Sequence, residues 1–238
     1  MKYKKIILGV ALALACFSSL NANALTETKV KKTETQAAAP NVYWTDGYGR
    51  VSYTTNSIIS PVVKIALKEF AGDMKAVTGF DAKEKSGAPI QIYQLDQLTN
   101  KEFSAVEKLG APLHLIITAK DAFYIGTRKG KLIVIGSNAR GTAYAIMKLS
   151  ELAGVSPLAA WNDLQPAQRK SLYTPVDQQW IEVPRIEFRG LALNNSQWMK
   201  PQNYSRIARL MLRLRANTLW QVDGRHEAAY NKAVVDSF

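Results

Sequence analysis

An uninterrupted apolar stretch near the middle of the chain, Leu132-Ile133-Val134-Ile135, constrains the fold more than any other feature. A strand that is apolar on both faces is typical of the centre of a covered sheet. Residues 122–126 precede this stretch across the turn-forming Arg128-Lys129-Gly130, which predicts a hairpin. A helical pattern over residues 140–153 follows it directly and ends at Gly154. The middle of the chain therefore predicts a buried sheet with a helix packed against it.

The residues before this hairpin continue the alternation of strands and helices. Residues 50–55 and 89–95 alternate apolar and polar side chains, which is the period of a half-buried strand. Between them, Pro61 marks a helix start, and the apolar residues that recur at helical spacing are Val63, Leu67, Phe70, Met74 and Val77. Thr99 and Glu102 then have the spacing of a capping box. We predict a mixed α/β fold, with a layered α/β sandwich over residues 42–155.

A second unit follows a connector over residues 156–184. Residues 185–193 predict a strand, Asn203 predicts the N-cap of an amphipathic helix, and residues 218–222 predict a further strand. A strand, a helix and a strand at this spacing form a βαβ unit, whose strands are normally parallel. Since such a unit leaves apolar faces and strand edges open, we expect residues 186–238 to be more loosely packed than the sandwich.

The N-terminus has the pattern of a secretory signal peptide. Lysines at positions 2, 4 and 5 precede an apolar run that ends at Cys16, and Ala22-Asn23-Ala24 provides the small residues that signal peptidase accepts. We predict a signal peptide over residues 1–24, a polar linker over residues 25–41, and a periplasmic or extracellular protein. In the alternative, Cys16 becomes a lipidated N-terminus that anchors the protein to an outer surface.

The composition of the chain limits the classes of partner that it can bind. The formal net charge is +12, and removal of the signal peptide with its three lysines leaves the mature chain nearer +9. A basic surface suits an anionic partner, and in an exported protein nucleic acid is the weakest candidate. No stretch after the N-terminus has the roughly 18 consecutive apolar residues of a membrane span. With one cysteine in the chain, we predict no disulfide framework and no cysteine metal site. We also predict no other metal site and no cofactor.

Three stretches of the chain together resemble one enzyme family. The first is Leu132-Ile-Val-Ile-Gly-Ser-Asn-Ala-Arg-Gly-Thr-Ala-Tyr-Ala-Ile, and the second is Leu149-Ser-Glu-Leu-Ala-Gly-Val-Ser-Pro-Leu. The third combines Pro184-Arg-Ile-Glu-Phe-Arg-Gly with Leu212-Arg-Leu-Arg-Ala-Asn-Thr-Leu-Trp. Over residues 42–222 the chain resembles glycoside hydrolase family 115, the xylan α-1,2-glucuronidases.

The resemblance implies an accessory domain followed, over residues 185–238, by the start of a (β/α)8 barrel. It also implies a polysaccharide or oligosaccharide partner of the acidic xylan type. In such barrels, side chains at the carboxyl ends of the strands bind and convert the substrate. The substrate-binding candidates that this rule selects are Asn194, Asn195, Trp220 and Asp223. The family has an acidic sequence where this chain has Asn194-Asn195-Ser196, so carboxylates are missing at that position.

The turn between the central strand and its helix has two interpretations. Gly136 and Gly141 allow a tight strand-to-helix turn across which Arg140 can point, and we predict that this turn is structural. A glycine-containing turn at a helix N-terminus can also hold an anion. The turn lacks the Gly-Lys-Ser/Thr ending of a phosphate loop and the middle glycine of a dinucleotide fingerprint.

We expect no catalysis by this chain alone. A glycosidase needs two carboxyl groups that flank the scissile bond, and the residues after Pro184 are far fewer than the roughly 200–250 of a complete barrel. We interpret Asp223, His226 and Glu227 as loop and helix-start residues rather than an acid/base set. The prediction is therefore an N-terminal fragment of an exported glycoside hydrolase. The alternative is a non-catalytic exported module that binds glycans through Trp161, Trp198 or Trp220.

Overall fold

The structure is a computed structural model that describes residues 40–162, 164–194 and 201–222, without the side chains of residues 194, 201, 202 and 220–222. The predicted signal peptide and nearly all of the predicted linker lie outside the described residues. So do Asn195, Trp198, Asp223, His226 and Glu227.

Strands and helices alternate along the described chain. Its first half contains β1 (Asn41–Tyr43), β2 (Ser52–Thr55), α1 (Pro61–Thr78), β3 (Lys83–Glu84), β4 (Ile90–Gln94) and α2 (Asn100–Glu107). Its second half contains β5 (Phe123–Arg128), β6 (Lys131–Gly136), α3 (Ala139–Leu152), β7 (Tyr173–Pro175), β8 (Gln179–Glu182), β9 (Gly190–Asn194), α4 (Pro201–Arg213) and β10 (Thr218–Val222). Two 3-10 turns lie at Leu95–Gln97 and Leu113–Leu115. This alternation confirms the mixed α/β class.

Six of the strands form one mixed sheet in the order β3-β2-β4-β6-β5-β8. The first four strands are parallel to one another, whereas β5 and β8 run antiparallel to their neighbours. The predicted hairpin is confirmed as β5 and β6, and the apolar strand β6 lies inside the sheet as predicted. Two shorter sheets pair β1 with β7 and β9 with β10.

Both faces of the six-stranded sheet are covered, which explains why β6 is apolar throughout. Leu132 and Val134 face a cluster formed with α1 and α3, whereas Ile133 and Ile135 face a cluster that includes Val106 of α2. All four β6 side chains are fully buried. Burial of an aliphatic side chain contributes about 1.5–3 kcal/mol, so this strand is a major source of stability for the sheet.

Local signals in the sequence fix the ends of two helices. α1 begins at Pro61 as predicted, and the backbone N–H of Gly79 donates to the carbonyl of Lys75 at its end (2.9 Å). The predicted capping box of α2 is confirmed, because Thr99 Oγ1 accepts from the Glu102 N–H while Glu102 Oε2 accepts from the Thr99 N–H. Among the described helices, none combines the length and the apolar character needed to cross a membrane.

The strand-helix-strand order predicted after residue 184 is also observed, because β9 and β10 are parallel neighbours connected through α4. Two details differ. The first strand begins at Gly190 rather than residue 185, since the preceding carbonyls of Ile186 and Glu187 accept from the Arg189 side chain instead of a neighbouring strand. The helix begins at Pro201, so Asn203 lies within its first turn and is not the N-cap. Proline suits this place because a helix leaves its first N–H groups unpaired.

The predicted connector contributes two strands that the sequence pattern did not indicate. β8 forms an edge of the six-stranded sheet beside β5, and β7 pairs with β1. Thr174 of β7 accepts a hydrogen bond from the buried Trp44 indole (2.9 Å). The two strands have only four and three residues, which is too short for a period to be visible.

Candidate functional site

A buried carboxylate, Asp121, lies in the loop that leads into β5. Its side chain is only 2% exposed, and its backbone is left-handed with φ 59°. Aspartate tolerates this conformation better than most residues because its short polar side chain bonds locally. The carboxylate points toward the start of α3 and the segments before β9 and β10.

Four side-chain donors saturate this carboxylate. Oδ1 accepts from Arg140 Nε (3.0 Å) and Asn138 Nδ2 (3.1 Å) at the start of α3. Oδ2 accepts from Arg189 Nη2 (3.1 Å) and Asn217 Nδ2 (3.0 Å), the residues that immediately precede β9 and β10. We call these five residues the Asp121 junction. An ionised carboxylate has about four acceptor positions, so the junction is fully satisfied.

The strand-to-helix turn between β6 and α3 carries one side of the junction. A Cβ on Gly141 would overlap the Ala122 carbonyl oxygen, and one on Gly136 would overlap Thr142, so both positions require glycine for close approach. Asn138 is the N-cap and accepts from the Gly141 N–H (2.8 Å). Arg140 points across the turn and donates to Asp121 through Nε.

The other side of the junction ties together the first residues of β9 and β10. The Arg189 N–H donates to Asn217 Oδ1 (2.9 Å), and the Arg189 carbonyl accepts from the N–H groups of Asn217 (2.7 Å) and Thr218 (3.0 Å). A Cβ on Gly190 would overlap the Thr218 carbonyl oxygen. The two strands can therefore approach this closely only because position 190 is glycine.

Burial and hydrogen bonding shift the pKa values of Asp121 and of the neighbouring Tyr144. Burial alone would raise the pKa of Asp121, but the hydrogen bonds from Arg140, Asn217 and Asn138 outweigh it and hold the pKa below its ordinary value. Burial, together with the charge of Asp121, raises the pKa of Tyr144 to about 12. The Tyr144 hydroxyl therefore stays protonated and donates to the Ala216 carbonyl (2.9 Å). The carboxylate acts as a fixed anion rather than as a proton donor.

Arginines in and after α4 form a second set of contacts with the sheet helices. Arg213 binds Asp73 (2.9 Å) and Glu69 (3.2 Å) of α1. Arg215 reaches Glu151 of α3 and Glu182 of β8, each at 2.8 Å. These ion pairs attach the described part of the βαβ unit to α1, α3 and β8.

A groove of about 770 Å3 lies beside the Asp121 junction. It is lined by Ala119, Lys120, Asp121, Arg140, residues 184–189 and residues 217–219. Because β9 starts at Gly190 and β10 at Thr218, the groove lies at the amino ends of both strands. In (β/α)8 barrels the chemistry takes place at the carboxyl ends, so the groove is at the opposite end of the strands from the predicted substrate positions.

The predicted substrate-binding residues lie at those carboxyl ends. Asn194 ends β9 and pairs in register with Val222, the last residue of β10, while Trp220 pairs with Ala192. The backbone thus brings Asn194 beside the residue that precedes Asp223. The side chains of Asn194 and Trp220, and the whole of Asn195 and Asp223, lie outside what the structure describes.

The Asp121 junction was not predicted from the sequence. Asp121, Arg189 and Asn217 come from three distant segments, and the first of them has no local motif that marks it. A signal did exist for the other two, because Arg189-Gly190 and Asn217-Thr218 lie within the third stretch that carries the family resemblance.

No protein-family model matches the chain, and no curated protein matches it either. Among solved structures, a family GH115 4-O-methyl-α-glucuronidase with specificity for decorated arabinogalactans is 26% identical, with a TM-score of 0.69 over 81% of this chain. A GH20 chitobiase from Flavobacterium johnsoniae is 15% identical, with a TM-score of 0.53 over 83% of the chain. A Streptomyces plicatus β-hexosaminidase is 13% identical, with a TM-score of 0.51 over 77%.

The chain spans 28%, 31% and 32% of these three enzymes, respectively. The two matches of low identity show the fold alone. The match to the α-glucuronidase is higher in both identity and TM-score, and it agrees with the resemblance noted in the sequence. The solved structures that this chain resembles are glycoside hydrolases, and the chain has a glycoside-hydrolase-like fold.

Proposed function

We propose that this chain forms the α/β accessory region and the first barrel strands of an exported glycoside hydrolase of the family 115 type. The complete enzyme would hydrolyse glycosidic bonds in plant polysaccharide that carries glucuronic acid, such as glucuronoxylan. The role of the present chain in that enzyme is to fix the first two barrel strands in place.

The arrangement of β9 and β10 carries this proposal. The strands are parallel and in register from Gly190 with Thr218 to Asn194 with Val222, and α4 lies between them in the chain. This is the repeating unit of a (β/α)8 barrel. The Asp121 junction holds the amino ends of both strands, so their carboxyl ends are directed to one side, where barrel enzymes bind substrate.

The choice of family and substrate has further support. The 26% identity to an α-glucuronidase favours family 115 over the GH20 enzymes, which are less similar. The positive charge of the mature chain is complementary to an acidic polysaccharide. Since that neighbour acts on decorated arabinogalactans, both arabinogalactan and glucuronoxylan are substrates to test.

The carboxylates near the βαβ unit are engaged in ion pairs, which supports a positioning role for this chain rather than catalysis. Within the described residues, Asp121, Glu69, Asp73, Glu151 and Glu182 each bind at least one arginine. A glycosidase needs one carboxyl group that carries a proton at the working pH. Asp121 does not meet this need, because the hydrogen bonds that it accepts hold its pKa below the ordinary value.

Hydrolysis assays test the proposal directly. The 238-residue chain is incubated with aldouronic acids and with decorated arabinogalactan, and released glucuronic acid is measured; we expect none above background. A chimera in which this chain replaces the matching segment of the family GH115 α-glucuronidase should fold and release glucuronic acid. Turnover by the chain alone, or a folded chimera without activity, would contradict the positioning role. The coding DNA beyond codon 238 should also encode further barrel strands.

The export part of the proposal has its own test. Mass spectrometry of the protein from the periplasm and the culture medium should find a mature N-terminus at Leu25. An acylated N-terminal Cys16 would establish the lipid-anchored alternative. A chain that keeps Met1 and stays inside the cell would refute export.

A glycan-binding module without catalysis remains the alternative. Of its three tryptophans, the structure describes the side chain of Trp161 alone, and the Arg206 guanidinium lies over that ring at 4.6 Å from the centroid. A sugar could stack on that face of the ring only by displacing this cation. The contact therefore favours a structural role for Trp161.

A further inference from the structure

The groove beside the Asp121 junction carries more positive than negative charge. Its four cationic side chains are Lys120, Arg140, Arg185 and Arg189, and its two carboxylates are Asp121 and Glu187. Asp121 is saturated by its four donors within the junction. The carboxylate that remains, Glu187, is engaged by Lys120 (3.3 Å). The wall of the groove thus presents an excess of cations to any ligand that enters.

Two of these cationic side chains keep hydrogen-bond donors available. Arg140 binds Asp121 through Nε, and in the described part of the chain no acceptor meets its two terminal nitrogens, although the side chain is 46% exposed. Those terminal N–H groups match a carboxylate, which arginine binds best in a bidentate manner. Arg185 is exposed and has no acceptor among the described residues. The groove therefore offers two guanidinium groups to an outside anion.

The groove also has an exposed apolar wall. Phe188 is 72% exposed and Ile186 is 67% exposed, and both line the groove beside Arg185. An exposed apolar patch rimmed by charged residues is typical of a binding surface. Ligand sites generally combine such a surface with a few polar groups that fix orientation. A sugar with a carboxylate presents both kinds of surface, because its ring has apolar C–H faces.

We propose that this groove is an accessory binding site for a glycan chain that carries carboxylates, with a uronic acid on Arg140 and Arg185 and a sugar face on Phe188. The site is separate from the substrate positions at the carboxyl ends of β9 and β10. Each strand has five residues, which places the two ends about 15 Å apart. The glycan part of this inference rests on the proposed function, whereas the preference for an anion follows from the groove itself.

Binding measurements on the full chain test the inference. Calorimetry compares an aldouronic acid oligosaccharide with a neutral xylo-oligosaccharide of the same length, and we expect the acidic ligand to bind at least tenfold more tightly. Arg185→Ala should weaken binding about tenfold because it removes a charge-assisted contact to the carboxylate. Phe188→Ala should also weaken binding about tenfold because it removes the apolar surface for the sugar face, and tenfold corresponds to about 1.4 kcal/mol. Lys68→Ala, which removes an exposed cation on α1, is the matched control and should bind like the parent chain.

Each other outcome counts against the site. Equal binding of the neutral oligosaccharide, no binding of the acidic one, or an equal loss in Lys68→Ala would overturn it. Equal binding of polyglutamate would show that charge alone is recognised and would overturn the sugar assignment. Because Arg185 is exposed and unpaired, its variant should keep the parent's thermal midpoint, so a loss of binding there reports on the groove. An active chimera with no groove binding would separate failure of this inference from failure of the proposed function.

Discussion

Oδ2 of Asp121 lies 3.1 Å from Nη2 of Arg189, and this ion pair joins residues that are 68 positions apart in the chain. Asp121 belongs to the loop before β5, whereas Arg189 immediately precedes β9. The same guanidinium also donates to the carbonyls of Arg215, Ile186 and Glu187. One arginine therefore organises the entry into the βαβ unit and connects it to the sheet.

Two of the stretches that resemble family 115 contribute residues to the hydrogen bonds of Asp121. The first stretch supplies Asn138 and Arg140, and the third supplies Arg189 and Asn217; all four donate to Asp121. Both stretches therefore contain residues that position the strands. The carboxyl end of β9 at Asn194, where we predict substrate binding, lies at the opposite end of the strand from these four residues.

Asp121→Asn should loosen the attachment of β9 and β10. The substitution leaves Arg189 without its charge partner in a mostly buried position, and breaking a buried ion pair typically costs about 3–5 kcal/mol. Urea unfolding should show this loss, and amide exchange should speed up at Thr218. Asp81→Asn breaks the exposed pair with Lys75 and should cost less than about 1 kcal/mol. Equal effects of the two variants would contradict the importance of the junction.

Gly190→Ala should destabilise the chain although it adds only one methyl group. The new Cβ would overlap the Thr218 carbonyl oxygen, so β9 and β10 would have to separate at their first residues. Overpacking of this kind costs about 1–3 kcal/mol. Gly72→Ala is the control and should stabilise the chain. Nothing lies within 4 Å of a Cβ added at position 72, and alanine favours the helix over glycine by roughly 0.5–1 kcal/mol. Thermal unfolding should therefore move the two midpoints in opposite directions.

The sheet was predictable from the sequence where burial leaves a periodic pattern. β6 is apolar on both faces because both faces are covered, and α1 shows its buried stripe between Pro61 and Gly79. β7 and β8 were missed because they are held by pairing with strands far away in the chain rather than by a pattern of their own.

The candidate site was predictable only in part, for a related reason. Gly136, Arg140 and Gly141 could be recognised as a tight turn, but the partner of Arg140 could not. Asp121 acquires its role from donors that lie between 17 and 96 positions away in the sequence. Such a role depends on the fold as a whole, which a local motif does not report.

Arg213 should control how readily proteases remove the C-terminal part. We expect limited proteolysis of the parent chain to trim residues after the sheet first, since the βαβ unit has open strand edges. Arg213 is 12% exposed and binds two carboxylates of α1, so Arg213→Met should accelerate this trimming on the order of tenfold or more. Arg209→Met on the same helix removes a 49% exposed arginine paired with Glu69 and should change the rate little. If the two variants are cleaved at the same rate, the Arg213 pairs do not hold α4.

Glu102 should make part of the stability depend on acid pH. The Ser57 N–H donates to its carboxylate (2.8 Å), and the Thr99 N–H (2.9 Å) and hydroxyl (2.8 Å) do the same. These bonds lower the pKa of Glu102 from 4.5 to about 2. Because the pKa is lower in the folded state, the carboxylate stabilises the fold above pH 4.5, and this contribution is lost as the pH falls from 4.5 toward 2. Glu102→Gln should therefore be less stable than the parent at pH 6, and the difference in stability should shrink at pH 2.5.

Urea unfolding at pH 6, 4 and 2.5 measures the free energy of unfolding of the variant and of the parent. Glu107→Gln, on the exposed end of α2, is the control for loss of one negative charge. If the difference in free energy of unfolding between Glu102→Gln and the parent stays constant across this pH range, the charge of Glu102 does not contribute to the stability of the capping box.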